Sequence, residues 1–208
     1  MNNNVVVQLI NVGKKYGEKQ LFQGINQVIK PGQCLAITGP NGSGKSTLLK
    51  MIAGVSKPST GLICIGCGDR FFQHEESVGY MGMVSPEIVF YHAMTGIENL
   101  VFLSRCRGVA CSLQYASELC ATVGLNEYSN KQLSMYSTGM KQRLKFAIML
   151  AIQPSLWLLD EPSSNLDGKG KEIMGVIIDT ALKQMATVIV ATNECWEMEY
   201  ASAQITLA

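Results

Sequence analysis

One segment restricts the possible folds more than any other, the run Gly39-Pro-Asn-Gly-Ser-Gly-Lys-Ser46. It matches the pattern G-x-x-x-x-G-K-[ST], in which glycines let successive backbone N–H groups point inward and form a nest for an anion. The pattern carries this meaning only between a buried strand and a helix. Here the apolar run Cys34–Thr38 predicts the strand, and a helix is expected from near Gly44 or Lys45 to a point before Gly54.

The chemistry of this loop predicts that the chain binds ATP together with Mg²⁺. The Lys45 side chain is expected to reach the β- and γ-phosphates, and the Ser46 hydroxyl is expected to bind the metal. An ordinary glycine turn is the alternative, but the motif is complete and lies in the required context. The predicted ATP-binding residues of the loop are Gly39, Pro40, Asn41, Gly42, Ser43, Gly44, Lys45, Ser46 and Thr47.

Two acids, Asp160 and Glu161, follow the apolar run Leu156–Leu159. An acid at the end of a neighbouring strand can hold Mg²⁺, which is the predicted role of Asp160. Glu161 is predicted to be catalytic, because its carboxylate could polarise the attacking water or accept its proton. The alternative is an acid-rich helix N-terminus that Pro162 helps to start.

Strands alternate with helices along the chain, which predicts an α/β fold with a mostly parallel sheet. Together with the phosphate loop, this pattern indicates a P-loop NTPase core. At the N-terminus, Val5–Val12 and Leu21–Ile29 are expected to form antiparallel strands. After a further predicted strand, Val78–Val84, the pattern becomes helical, and Thr95 and Glu98 form a capping box at the start of the first helix.

The whole chain is predicted to be one ATP-binding domain, with a core at residues 1–85 and 151–208 and a helical subdomain inserted at about 86–150. The remaining predicted elements are the helices Leu113–Val123, Gly139–Ile152 and Lys169–Gln184 and the strands Leu156–Leu159 and Thr187–Ala191.

Composition excludes several classes of function. The net charge is +1 and the chain has no basic run, so nothing favours a nucleic-acid partner. The N-terminus lacks the pattern of a signal peptide, and apolar stretches such as Phe146–Ile152 are too short to span a membrane. The chain has seven cysteines. Cys64 and Cys67 form a C-x-x-C pair, but no second pair supplies a metal site, so structural thiols are favoured over zinc or redox chemistry.

The segment Tyr136-Ser-Thr-Gly-Met-Lys-Gln-Arg143 opens another predicted helix. The N-terminus of a helix favours a phosphate. This segment lies between the phosphate loop and the Asp160-Glu161 pair, and Ser164-Asn-Leu-Asp167 follows that pair. In this order of motifs, the chain resembles the ATP-binding subunits of ABC transporters over essentially its full length. Tyr136–Met140 stands in place of the family signature L-S-G-G-Q, and Ser164–Asp167 in place of the D-loop.

The resemblance implies more than the residues alone. Tyr16 occupies the place of an aromatic residue that stacks on adenine, although by itself it is typical of an edge-strand tyrosine. The resemblance also implies a head-to-tail dimer, as a homodimer or with a second cassette. It further implies an integral membrane transporter subunit as partner, and a cytoplasmic location at the inner face of the membrane through that partner. The residues expected to contact the nucleotide of the other subunit are Ser137, Thr138, Gly139 and Asp167.

Two positions depart from the family pattern. Asn193 follows the last predicted core strand, where the family usually has a histidine, and the glutamine expected near Val84–Glu87 is missing. Asn193 is predicted to be catalytic, since its amide could donate a hydrogen bond to the γ-phosphate. The alternative is that Asn193 caps a helix beginning near Glu194, as asparagine does well.

The size of the chain and the segment Tyr136–Arg143 are most similar to small export-type subunits, including the ATPase of haem exporters in cytochrome c maturation. The predicted function is therefore ATP binding and hydrolysis that power export by a separate membrane partner. Two alternatives remain. One is an ATPase of the same family that takes no part in transport, and the other is a regulatory subunit that hydrolyses ATP slowly.

Overall fold

The computed structural model describes residues 4–67, 70–72 and 74–208. The chain divides into two compact units. The first comprises Met1–Met83, Pro154–Glu161 and Asp179–Ala208, and the second comprises Val84–Gln153 and Pro162–Ile178. The helical subdomain expected at 86–150 falls within the second unit, which also takes in residues 162–178; its boundaries stay a prediction.

A five-stranded sheet forms the centre of the nucleotide-binding fold. In spatial order its strands are β6 (Met81–Val84), β7 (Leu156–Asp160), β8 (Thr187–Ala191), β3 (Cys34–Thr38) and β9 (Ala203–Thr206). β3 runs parallel to both β8 and β9, and β7 runs parallel to β8. All residues of β3, β7 and β8 are buried, as expected for parallel strands covered on both faces. The predicted α/β fold with a mostly parallel sheet is confirmed.

The N-terminal sheet is antiparallel, as predicted. Its strands lie in the order β2 (Lys19–Ile29), β1 (Val5–Tyr16), β4 (Thr60–Cys67) and β5 (Arg70–Phe71). Alternate residues of β1 are buried over its first half, since one face of the sheet packs on the core. The edge strand β9 was not predicted as an element.

Three helices of the second unit have side-chain caps, of which the capping box at the start of the first was predicted from sequence. They are α3 (Gly96–Cys106), α4 (Leu113–Thr122) and α5 (Thr138–Ile152). The capping box of α3 is present: the Glu98 backbone N–H donates to Thr95 Oγ1 over 3.2 Å, and the Thr95 N–H donates to Glu98 Oε2 over 2.7 Å. These hydrogen bonds lower the pKa of the Glu98 carboxyl.

The other helices are α1 (Lys45–Ile52), α2 (His74–Ser77), α6 (Gly168–Lys183) and α7 (Cys195–Met198). The prediction of a strand over Val78–Val84 is wrong in its first half, because Val78–Tyr80 forms a 3₁₀ turn and the strand begins only at Met81. Gly79 weakens a strand there, and Val78 is exposed rather than buried. In the part of the chain that the structure describes, no helix combines the length and the hydropathy needed to cross a bilayer.

Candidate ATP site and signature region

The phosphate loop connects β3 to α1, and its glycines are required by geometry. Gly39, Gly42 and Gly44 have φ angles of 141°, 85° and 106°, values that residues with a side chain rarely adopt. A Cβ atom at Gly39 would lie 2.3 Å from the carbonyl oxygen of Leu207. The loop therefore keeps its backbone N–H groups accessible only with glycine at these positions.

Two side chains of the loop, Lys45 and Ser43, carry polar groups that could serve an anion. Lys45 Nζ donates to the carbonyl oxygens of Gly39 over 2.7 Å and of Pro40 over 3.4 Å. The buried Ser43 Oγ has no hydrogen-bond partner among the described residues. A buried hydroxyl without a partner is costly, and a phosphate oxygen would satisfy it. The loop thus fits an anion.

The proposed metal ligands lie together. Ser46, in the first turn of α1, donates its hydroxyl to Asp160 Oδ1 over 2.9 Å. Asp160 is the last residue of β7 and is only 4% exposed. A hydroxyl and a carboxylate are oxygen ligands of the kind that Mg²⁺ binds in nucleotide sites. These two residues fit the ion that the loop chemistry requires.

A cavity of about 340 Å³ joins the predicted nucleotide-binding residues of the first unit; its lining is formed by Tyr16, Leu21, Asn41, Gly42, Gly44, Lys45, Ser46, Thr47 and Glu161. The aromatic residue and the acid therefore open onto the same space as the loop. Glu161 has a φ angle of 46° although it is not glycine, and its N–H donates to the Ala191 carbonyl over 2.9 Å. Left-handed backbone at a residue with a side chain is a strained feature that is often found at functional positions.

Asn193 lies against the phosphate loop. In the amide orientation that satisfies both of its polar atoms, Asn193 donates to the Gly39 carbonyl over 2.8 Å and accepts from Lys45 Nζ over 3.2 Å. The alternative role as a helix cap is wrong: Glu194 occupies the N-cap of α7, and no side chain caps this helix in the described chain. Asn193 reaches the loop because β8, which precedes it, pairs with β3, which leads into the loop.

In the second unit, a separate cavity of about 320 Å³ is lined by residues of the signature segment and the D-loop, namely Gly124, Leu125, Tyr128, Ser137, Gly139, Met140, Arg143, Asn165 and Asp167. Ser137 caps α5, since its hydroxyl accepts from the Met140 N–H over 3.2 Å, and Thr138 is the first residue of the helix. A Cβ atom at Gly139 would lie 2.6 Å from the Asn165 carbonyl oxygen.

Asp167 is held in place on this cavity. Its carboxylate accepts from the Gly170 N–H over 2.8 Å and from the Arg143 guanidinium. These hydrogen bonds, with the positive charge of Arg143, hold the pKa of Asp167 below its usual value. Arg143 thereby joins the signature helix to the D-loop within this unit.

The order of these motifs matches a known family. Residues 22–164 match the family model described as ABC transporter. The chain belongs to the ABC transporter family. Over 176 residues this cassette is 33% identical to the cytochrome c biogenesis ATP-binding export protein CcmA of Bartonella henselae, a match that covers 85% of the cassette and 82% of the relative. It is 31% identical to the lantibiotic transport ATP-binding protein SrtF of Streptococcus pyogenes, with 94% and 83% covered.

Other relatives are longer. The linearmycin resistance ATP-binding protein LnrL of Bacillus subtilis is 29% identical over 94% of the cassette, but the cassette spans only 63% of that relative. Among solved structures, the dimeric ATP-binding cassette MJ0796 in a post-hydrolysis state bound to ADP and Pi matches with a TM-score of 0.82 and 27% identity, over 97% of this chain and 94% of that one. A putative ABC transporter ATP-binding protein from Pyrococcus furiosus, 23% identical with a TM-score of 0.82 and 97% of each chain covered, shows the same fold.

Some polar contacts of the cassette were not predicted. In the second unit, the buried Lys145 donates to the Ser85 carbonyl over 2.7 Å, within the segment where the resemblance led us to expect a glutamine. Gln142 donates to the Pro162 carbonyl over 2.7 Å, next to the acid pair. Both side chains could have been noted as polar residues on the apolar face of a predicted helix.

The C-x-x-C pair does not form a site. Cys64 and Cys67 are three residues apart on β4, so their side chains point to opposite faces of the sheet. Among the residues that the structure covers, no group of three or more His, Cys, Asp or Glu side chains could hold a metal ion. Structural use of these thiols stays a prediction.

Proposed function

We propose that the cassette binds and hydrolyses Mg-ATP in the cavity between Tyr16 and the phosphate loop. The observation that carries the proposal is the 2.9 Å hydrogen bond between Ser46 and Asp160, because it brings two Mg²⁺ ligands from distant segments beside the loop lysine. Mg²⁺, when bound there, neutralises charge on the phosphates. Lys45 and the loop N–H groups hold the phosphates, and the Tyr16 ring stacks on adenine.

Two residues act on the reacting end of the nucleotide. Glu161 opens onto the cavity and polarises the attacking water or accepts its proton. Asn193, whose amide donates to the Gly39 and Thr192 carbonyls and accepts from Lys45, keeps Lys45 in position and exchanges one of these carbonyls for an oxygen of the γ-phosphate when ATP binds. The amide carries no charge, and a charge-assisted hydrogen bond is roughly twice as strong as a neutral one. We therefore expect ATP turnover to be slower with Asn193 than it would be with a histidine at this position.

Hydrolysis is proposed to occur in a dimer of two cassettes, identical or paired. The cavity of the signature segment lies at the N-terminus of α5, where free N–H groups favour phosphate. Ser137, Thr138, Gly139 and Asp167 would contact the nucleotide of the other subunit. The dimeric state of MJ0796, which is 27% identical, supports this arrangement.

The work done by the dimer is proposed to be export through a separate integral membrane subunit, with the cassette on the cytoplasmic face of the membrane and no nucleic-acid partner. Relatives similar to this chain are named for cytochrome c biogenesis export and lantibiotic transport. The net charge of +1 offers no attraction to nucleic acid.

Dimerisation tests the proposal. Mg²⁺ with a non-hydrolysable ATP analogue should convert the wild type from monomer to dimer in light scattering, and Ser137→Arg should bind the analogue but stay monomeric. Ser112→Arg is a matched control, because Ser112 also caps a helix of the second unit, accepting from the Tyr115 N–H over 3.1 Å. Equal dimerisation of all three proteins would contradict the composite site.

The membrane partner needs its own experiment. The tagged cassette should bring an integral membrane protein with it from detergent-solubilised native membranes, identified by mass spectrometry. Recovery of ribosomal proteins or DNA instead would favour the alternative of a family ATPase that takes no part in transport.

A further inference from the structure

A lysine contacts the ring of Tyr16, the residue predicted to bind adenine. Lys14 Nζ stands over the ring of Tyr16, 5.0 Å from the ring centroid. Both residues belong to β1, and side chains two positions apart on a strand point to the same face of the sheet. At this distance an ammonium group is attracted by the negative face of an aromatic ring.

The ammonium group is fixed by the chain opposite. Lys14 Nζ donates to the Lys57 carbonyl oxygen over 2.7 Å and to Ser56 Oγ over 3.1 Å. Two hydrogen bonds to one segment remove most of the freedom of a lysine side chain, which otherwise costs entropy to order. The cation therefore has a defined place rather than a mobile one.

Tyr16 needs such a support. The residue is 57% exposed, so packing against the protein holds it weakly. Tyr16 lines the cavity of the phosphate loop, whereas Lys14 is absent from the described residues that line it. The cation therefore lies over the ring without lining the cavity onto which Tyr16 opens.

We propose that Lys14 is a positioning residue for base recognition: its anchored ammonium orients and polarises the Tyr16 ring so that the ring stacks on the adenine of ATP. The proposal rests on the proposed function, since it assumes ATP in this cavity. Under this proposal, Lys14 contributes to the part of the ATP affinity that comes from adenine and does not contribute to phosphate binding.

The test compares ATP with inorganic tripolyphosphate, each with Mg²⁺, by titration calorimetry. Lys14→Met keeps the unbranched chain as far as Cε and removes the ammonium group with its charge. We expect it to weaken ATP binding about two- to fivefold, the range of a cation–π contact at an exposed site, and to leave tripolyphosphate binding unchanged. Lys14→Arg should restore ATP binding. Lys15→Met is the matched control, because it removes an equal charge from the next, exposed residue of the strand.

A double-mutant cycle shows whether Lys14 acts through the Tyr16 ring or only through its charge. In a Tyr16→Leu background, Lys14→Met should cause no further loss of ATP affinity, because no ring remains to be oriented. The proposal is overturned if Lys14→Met binds ATP as the wild type does, if it weakens ATP and tripolyphosphate equally, or if the loss persists without Tyr16. A wild type that binds neither probe would instead refute the proposed function.

Discussion

Asn193 stands where the resemblance led us to expect a histidine, and the structure allows the effect of replacing it to be worked out. Asn193→Ala removes three contacts: the 2.8 Å bond to the Gly39 carbonyl, the 3.1 Å bond to the Thr192 carbonyl and the 3.2 Å bond from Lys45 Nζ. A bond to a charged group contributes about 1.5–3 kcal/mol. Because Asn193 is exposed, we take the lower end, which corresponds to a roughly tenfold decrease in kcat/KM.

Asn193→Asp should decrease ATP turnover more than Asn193→Ala does. The new carboxylate would pair with Lys45, and unit charges 4 Å apart attract by about 4 kcal/mol near a protein surface. That pair would compete with the phosphate for the lysine, and the carboxylate would also repel the γ-phosphate. We expect turnover to decrease about a hundredfold or more, since each factor of ten needs only about 1.4 kcal/mol.

The assay is steady-state ATP hydrolysis with a coupled enzyme system, with kcat and KM reported separately for both variants. Glu199→Gln, an exposed substitution in the segment that follows, serves as the control for nonspecific effects. An Asn193→Asp variant that hydrolyses ATP as fast as the wild type would refute the reasoning, because no contact with Lys45 or phosphate could then matter to the reaction.

Further predictions concern the loop and a buried thiol. Lys45→Ala should weaken binding of a non-hydrolysable ATP analogue about ten- to a hundredfold in calorimetry, and unchanged binding would rule out the phosphate loop. Gly39→Ala should abolish that binding, since its Cβ would clash with the Leu207 carbonyl at 2.3 Å. Burial raises the pKa of the Cys34 thiol from 9.0 to about 12. In the unfolded chain the thiol loses its proton above about pH 9, whereas in the folded protein it keeps it until about pH 12. The free energy of unfolding should therefore decrease as the pH rises from about 9 to 12. In urea titrations, Cys34→Ala should make that decrease smaller.

The strands that could be predicted from sequence are those that form a continuous run of apolar residues, which can be recognised without knowing the strands beside them. β3, β7 and β8 are short apolar runs because both faces are covered, and such runs are visible without a structure. β9 has alternating intermediate and exposed residues and only four positions, too weak a pattern to recognise. Val78–Tyr80 is apolar in part but exposed at Val78, so composition alone gave the wrong element there.

In the candidate site, too, some residues could be predicted from sequence and others could not. The motifs placed Lys45, Ser46 and Asp160 by the chemistry that each motif requires. Two roles for Asn193 were compatible with the sequence, and the pairing of β8 with β3 together with the amide contacts to Gly39 and Lys45 shows that it faces the loop. The Lys14 contact with Tyr16 depends on a turn more than forty residues away in sequence, and side-chain contacts of this kind have no local pattern.

The central claim, hydrolysis of Mg-ATP in this cavity, is tested most directly by the turnover of the wild type and of Glu161→Gln at saturating Mg-ATP. Glutamine keeps the size of the side chain but cannot accept a proton, and general base catalysis contributes typically 10²–10⁴-fold. We predict measurable turnover by the wild type, a decrease of about a hundredfold or more in the variant, and unchanged affinity for ATP. Near wild-type turnover by Glu161→Gln, or no turnover by either protein, would contradict the account.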